Sequence, residues 1–349
     1  MRVSLLSFAY RSSRFFITKV VYFFQKLLNN PRDLEPAVKF GDTVLPAFTV
    51  FGKYLYDFKM PSTDAVEVYD LTFPSPLVGS SFKSNTKLLD IWLRMGLGSI
   101  IFKTIMKEER SGNKRPRLQD ASIDNEKGLL NSLGLPGPGI ELFTRELPES
   151  KLWEFNRPLG ISIGGDTIDE YINNIKQVDT VLKSRSLSYY YELNISCPNT
   201  INGQTICENP DDLDSLMKKT RSIISNPISV KVSPDVSDSI LLSIGEVCVS
   251  NKKVFINAGN TQYKKSEEVG VNSLEFVMDG GGFSGPGIFN RTLEMVNVLS
   301  NFDIPIMATG GISSINDIKL LSNAGASLFG MATSLVLDPY CIPKINSEL

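Results

Sequence analysis

The sequence predicts an α/β fold, a closed (β/α)8 TIM barrel with an N-terminal helical extension, on three observations. Short apolar runs alternate with amphipathic helical stretches along most of the chain, which implies a parallel sheet. There are eight such runs, the number a closed barrel needs. Polar residues gather at or just after the ends of these runs, where a barrel carries its catalytic face. A doubly wound open sheet is the alternative, and eight strands weigh against it.

The boundary falls near residue 66, with an extension over 1–65 and the barrel over 66–349. Residues 1–30 contain Arg2, Arg11, Arg14, Lys19 and Lys26, and no acid precedes Asp33. Aromatic and aliphatic residues fill the gaps, as in Phe15-Phe16-Ile17-Thr18-Lys19-Val20-Val21-Tyr22-Phe23-Phe24. Lys19 interrupts the apolar run, whereas a spanning helix needs about 20 mostly apolar residues. The pattern predicts an interfacial amphipathic helix on the cytoplasmic face of a membrane. Two other roles fit the same residues. An organelle transit peptide is also basic and poor in acid. A helix packed on its own barrel would leave the protein cytoplasmic. Residues 31–68 carry scattered Pro and Gly, with room for a second amphipathic element near Val44–Phe51.

The candidate strands are Pro76–Ser80, Ser99–Lys103, Leu159–Gly164, Tyr190–Ile195, Ile228–Val232, Val254–Asn257, Pro305–Thr309 and Ser327–Met331. Each is bounded by polar residues, Pro or Gly. Helical periodicity lies between them, as in Ile168, Ile172, Ile175 and Leu182. Two βα connections are long, Thr104–Pro136 and Ala258–Ile288, and loops of that length are usually functional.

Composition narrows the chemistry. The 349 residues are 42% hydrophobic and 21% charged, an ordinary globular balance. A net charge of −2 without a basic stripe gives no sign of a nucleic-acid partner. The four cysteines, Cys197, Cys207, Cys248 and Cys341, form no CxxC pair, so no metal site or iron–sulfur cluster is expected. There is no histidine, which excludes Ser-His-Asp and Cys-His catalysis. Proton transfer then falls to Cys, Ser, Lys, Tyr or a carboxylate.

Strand seven ends in Thr309-Gly310-Gly311, and strand eight in Gly330-Met331-Ala332-Thr333. Barrels often bind phosphate with these two loops, because exposed backbone N–H groups and a helix dipole favour an anion. A third Gly-rich stretch, Gly280–Gly287, lies in the second long connection. Any one of these is as well explained by a tight turn. Together they suggest a phosphorylated ligand or cofactor.

From about Tyr69 to Leu349 the chain resembles the dihydroorotate dehydrogenase family. Four segments carry the resemblance: Lys103-Thr104 with Ser111–Arg117, Leu130-Asn131-Ser132-Leu133-Gly134-Leu135-Pro136, Leu193-Asn194-Ile195-Ser196-Cys197-Pro198-Asn199, and the Gly-rich pair. The resemblance implies FMN as cofactor and dihydroorotate as substrate, oxidised to orotate in pyrimidine synthesis. It implies Cys197 as catalytic base, with Lys103 beside flavin and substrate. Asn131, Asn194, Asn199 and Asn257 would bind the pyrimidine, and the backbone of Leu133, Gly134 and Leu135 its carboxylate. Ser80, Ser81 and Lys231 would contact the flavin ring. Gly282, Gly310, Gly311, Ala332 and Thr333 would surround the ribityl phosphate. A free thiol has a pKa near 8.5, so Cys197 needs a cation such as Lys103 or Lys231 nearby. A small residue filling a turn before Pro198 is the plainer reading of Cys197.

The resemblance is mixed. Cys197 and Gly134-Leu135-Pro136 look like the soluble branch of the family, and the basic, apolar first sixty residues look like the membrane-bound, quinone-reducing branch. Quinone is the expected acceptor, with fumarate the alternative; a partner subunit passing electrons to NAD is a further option, for which the chain itself supplies no iron–sulfur ligands. Phe82 stands where the family usually has glycine, and Ala258 where it has a hydroxyl residue. Those departures leave a second hypothesis, a diverged FMN barrel acting on another pyrimidine-like substrate. A non-enzymatic membrane-surface protein is the third, and intact Lys103, Asn131, Cys197 and Lys231 argue against it.

Overall fold

A computed structural model describes residues 1–63, 65–196 and 206–349. The chain opens with two helices, α1 (Arg2–Leu27) and α2 (Glu35–Ala47), and a single turn, α3 (Gly52–Leu55). Pro36 sits in the first turn of α2, where a missing N–H costs nothing. A hairpin follows, β1 (Val66–Val68) and β2 (Leu71–Phe73). Its Val68, Leu71 and Phe73 pack on Val78, Ile101, Tyr190 and Phe255, plugging the N-terminal end of the sheet above.

The strand–helix units then run in order. They begin with β3 (Leu77–Gly79) and α4 (Thr86–Met95). Next come β4 (Ser99–Ile105), an antiparallel pair β5 (Leu118–Ile123) and β6 (Glu126–Asn131), and α5 (Ile140–Glu146). β7 (Leu159–Ile163) with α6 (Ile168–Leu182) and β8 (Tyr189–Asn194) with α7 (Pro210–Arg221) follow. After β9 (Ile228–Val232) and α8 (Asp238–Val249) come β10 (Val254–Ala258), β11 (Gln262–Lys265), β12 (Gly280–Ser284) and α9 (Phe289–Leu299). The chain ends with β13 (Ile306–Thr309), α10 (Ile315–Asn323), β14 (Leu328–Met331), α11 (Thr333–Leu337) and α12 (Cys341–Asn346).

Strands β3, β4, β7, β8, β9, β10, β13 and β14 close into one parallel barrel, so the predicted TIM barrel is the observed fold. All eight predicted strands are present, with ends shifted by a residue or two. β7 through β10 are buried at every position, because side chains fill one face and helices cover the other. Five barrel helices start on polar caps: Asn85, Thr167, Asn209, Ser237 and Ser314 each accept a backbone N–H of their own first turn.

The long connections differ from expectation. Each folds into an antiparallel pair, and the pairs join as a four-stranded sheet in the order β11-β12-β6-β5. Gly280–Ser284 is therefore a paired strand rather than an open loop. Its glycines are dictated by crowding, since a Cβ on Gly281 would lie 2.3 Å from the Asn131 carbonyl oxygen.

The extension packs on the barrel along one face. Within the extension, Arg2 donates to the carbonyls of Lys53, Tyr54 and Asp57. Ser7 donates to Asp338, Tyr10 to the Val336 carbonyl, and Arg14 pairs with Asp120. The opposite face of α1 leaves Phe8, Phe15, Phe16, Phe23 and Phe24 more than half exposed. No helix among the described residues is long and apolar enough to cross a membrane.

Candidate active site

Polar side chains at the ends of different strands are buried together at one end of the barrel: Ser80, Asn194, Lys231, Asn257, Thr309 and Thr333. Asn194, Lys231 and Asn257 are register partners on β8, β9 and β10, so they face the interior side by side. Glu192, two residues before Asn194, faces the same way one layer deeper and is completely buried.

A buried cation or carboxylate is costly unless it is paired or hydrogen-bonded. Here both belong to one chain of bonds. Lys231 Nζ donates to Ser81 Oγ at 3.1 Å, and Ser81 Oγ donates to Glu192 Oε1 at 2.7 Å. Asn257 Nδ2 donates to Glu192 Oε2 at 2.8 Å. Glu192 is absent from the sequence candidates. The available signal was an acid inside Tyr189-Tyr190-Tyr191-Glu192-Leu193-Asn194, a strand buried on both faces. Asn194 is held by a second cluster: its Nδ2 donates to Thr104 Oγ1 at 3.0 Å and its Oδ1 accepts from Ser196 at 3.1 Å. Asn260 donates to the same Ser196 hydroxyl.

Lys103 extends from β4 beneath the Asn131–Pro136 segment, donating to the Pro136 carbonyl at 2.7 Å. Burial pushes its ammonium down to about 8, helped by the nearby charges of Lys83 and Arg117 and opposed by Glu35. Asn131 donates to the Gly282 carbonyl at 3.1 Å. Gly134 and Leu135 adopt consecutive left-handed conformations, with φ of 71° and 52°. That conformation costs Leu135 on the order of 1–3 kcal/mol, so the surrounding loop must hold it there. Arg117 contributes by donating to the carbonyls of Ser111, Asn113 and Leu133.

At the opposite side lie the glycine turns. Gly310 and Gly311 have φ of 141° and 75°. A Cβ on Gly310 would sit 2.3 Å from Thr292 Oγ1, so the backbone conformation and the packing both demand glycine. A Cβ on Gly330 would fall 1.9 Å from Thr309 Oγ1 and 3.0 Å from Ser80 Oγ, so these two hydroxyls flank that glycine. Gly282 is equally confined, by Thr261. Ala332 precedes α11, and the Thr333 hydroxyl donates to Ser284 at 2.7 Å, so that hydroxyl is engaged within the protein.

Several polar atoms here are buried without a partner among the described residues: Ser80 Oγ, Thr309 Oγ1 and Asn257 Oδ1. Native proteins usually satisfy such atoms, and their clustering at the strand ends suits a polar ligand there. Hydroxyls and an amide oxygen on several strand ends, with a lysine among them and glycine turns alongside, fit a cofactor that carries both a polar ring edge and a phosphate, as FMN does. Phe82 does not enter this space; it stacks on Trp92 of α4 at 5.4 Å.

Cys197 and Asn199 lie outside the described residues. Cys207, Cys248 and Cys341 are buried, and burial pushes all three thiols up, Cys207 to about 11. None of the three is poised as a thiolate. Among the described residues no cluster of His, Cys, Asp and Glu is arranged to hold a metal.

A cavity of about 400 Å³ separates the extension from the barrel. Its walls are largely apolar, with Leu6 and Ile17 of α1, Val38 and Leu45 of α2, and Trp92 and Val336 of the barrel. Lys83 and Asp42 also line it, paired at 2.8 Å. Lys83 is two residues beyond Ser81, so the cavity reaches the chain segment that carries the buried hydrogen-bond network.

A family model described as dihydroorotate dehydrogenase matches residues 64–349. The catalytic subunit of dihydroorotate dehydrogenase B (NAD(+)) from Malacoplasma penetrans is 30% identical over 287 residues, 80% of this chain and 89% of that protein. A protein of Aquifex aeolicus provisionally named dihydroorotate dehydrogenase A (fumarate) is 28% identical, over 80% of this chain and 90% of its own. The crystal structure of DHODH in complex with ferulenol from Eimeria tenella shares the fold, with a TM-score of 0.75 at 21% identity, over 88% of this chain and 89% of that one.

Proposed function

The chain belongs to the dihydroorotate dehydrogenase family of FMN-dependent oxidoreductases, and from that premise we propose that it passes the electrons of dihydroorotate oxidation to a quinone. The observation behind the choice of acceptor is the apolar cavity between α1, α2 and the barrel. Its volume suits a ring with part of a tail, and its walls suit an apolar carrier better than the dianion fumarate. The relatives named for NAD(+) and fumarate make this the point to test.

In this reading Cys197, as thiolate, removes the C5 proton of dihydroorotate. FMN, when bound, supplies the acceptor for the C6 hydride and then the electrons for the quinone. Lys231 would hold its ammonium toward the flavin ring, and Ser80 and Ser81 would meet its edge. Gly282, Gly310, Gly311, Ala332 and Thr333 surround the phosphate, Thr333 through its backbone because its hydroxyl is occupied by Ser284. Asn131, Asn194, Asn199 and Asn257 hold the pyrimidine. The Leu133–Leu135 segment, left-handed at Gly134 and Leu135, offers backbone N–H groups to the substrate carboxylate, and Lys103 adds a cation beneath it. Residues 1–65 act as a membrane-associating extension, through which a lipid-dissolved quinone enters the cavity.

The test is an anaerobic flavin titration. The purified protein is expected to be yellow, dihydroorotate to bleach it, and a short-chain quinone to restore the colour faster than fumarate does. A colourless protein that takes up no FMN would overturn the whole reading. Bleaching followed by reoxidation with fumarate but not quinone would overturn the acceptor alone.

A further inference from the structure

The completely buried Glu192 has no place in the chemistry above, yet it accepts hydrogen bonds from two residues of the site. The direction of each bond follows from what the groups can do. An ammonium only donates, so Lys231 gives a proton to Ser81 Oγ and the Ser81 hydroxyl must point its own proton elsewhere. That proton goes to Glu192 Oε1. A carboxylate only accepts, so the Asn257 amide must present its NH2 to Glu192 Oε2. The nitrogen and oxygen of a carboxamide lie on opposite sides of its carbon. Asn257 Oδ1 is therefore turned away from Glu192, and it is buried without a partner among the described residues. Its neighbours in register are Lys231 and, one strand further, Asn194, both on the face assigned to ligand.

We propose that Glu192 is a positioning and specificity-determining residue: it locks Asn257 so that the amide oxygen, not the NH2, faces the substrate, and the site thereby demands a ring N–H at that point. The proposal rests on the reading of the site as a pyrimidine site. A buried acceptor left unpaired costs binding, so a ring whose nitrogen carries a methyl group instead of hydrogen is rejected. An amide at position 192 removes the lock. It offers one acceptor and one donor, and it allows Asn257 to turn its NH2 to the ligand instead.

The experiment measures binding of orotate and of its two mono-N-methyl derivatives to the FMN-loaded protein, read from the flavin absorbance shift, in wild type and in Glu192→Gln. Wild type is expected to bind orotate at least about tenfold more tightly than one of the methylated rings. Glu192→Gln is expected to lose most of that preference, with orotate weakened and FMN retention unchanged. Equal binding of all three rings by wild type would overturn the proposal, and that measurement stands even if the variant fails to fold. So would a variant that keeps the wild-type preference. A wild-type protein that takes up no FMN fails the functional reading instead, and is recognised before any orotate is added.

Discussion

Lys103 shows how one buried side chain links pH to chemistry. Its ammonium titrates near 8 because burial disfavours the charge, with Lys83 and Arg117 adding repulsion. Between about 8 and the ordinary lysine value the unfolded chain holds a proton that the folded chain has lost, so this residue makes stability rise with pH across that window. Function runs the other way. A cation beneath the substrate carboxylate is lost as pH passes about 8, so kcat/KM for dihydroorotate is expected to fall above that pH. Lys103→Arg, charged throughout, is expected to be slower at its optimum but to have its falling limb displaced upward. A pH profile of flavin reduction checks this, and an unmoved limb in the arginine variant would assign the titration to another group. Two further residue-level features carry different weight. Lysines at strand ends stand out in sequence because an apolar run rarely ends in a cation. Glu192 stands out only once its strand is known to be buried on both faces.

At the level of elements, the extension is tied to the substrate loop through a cluster of ion pairs, in which Asp33 and Glu35 meet Arg115 and Arg117. Glu35, in the first turn of α2, meets the Arg117 guanidinium, and both side chains are nearly inaccessible. Arg117 in turn holds the carbonyls of Ser111, Asn113 and Leu133. Removing one partner of a buried pair leaves a charge uncompensated, at a cost of about 3–5 kcal/mol. Glu35→Ala is therefore expected to lower the unfolding midpoint and, by loosening the Leu133 loop, to raise the dihydroorotate KM. Thermal unfolding and steady-state kinetics on the same preparation check both. A stability loss with KM unchanged would show that α2 and the loop are independent. This link was not legible in the chain, because the two residues are 82 apart and Glu35 sits in no motif. The antiparallel sheet over the barrel mouth was equally hidden. A strand of Gly280, Gly281 and Gly282 has no alternation to read, and only its pairing with Asn131 and Tyr263 makes it a strand.

For the whole molecule, the arrangement of α1 reconciles two of the roles considered for it. One face packs on the barrel and the other remains apolar, flanked by the exposed cations Arg11, Lys19 and Lys26. Such a face suits an anionic lipid surface. The protein is expected to co-sediment with vesicles containing an acidic phospholipid, and less so with neutral ones or at high salt. The double variant Phe15→Glu, Phe23→Glu is expected to remain in the supernatant while its flavin is still bleached by dihydroorotate. Equal sedimentation of wild type and variant would remove the membrane role without touching the barrel chemistry.

Eight strands, their order and the candidate side chains at their ends were legible in the chain. Strand periodicity, caps and glycine turns are local signals, and a barrel repeats them in sequence order. The Glu192 network, the α2–loop ion pair and the apolar cavity required the fold. Each joins residues far apart in sequence, and the worth of a buried charge or an apolar wall depends on what surrounds it, which no local pattern encodes.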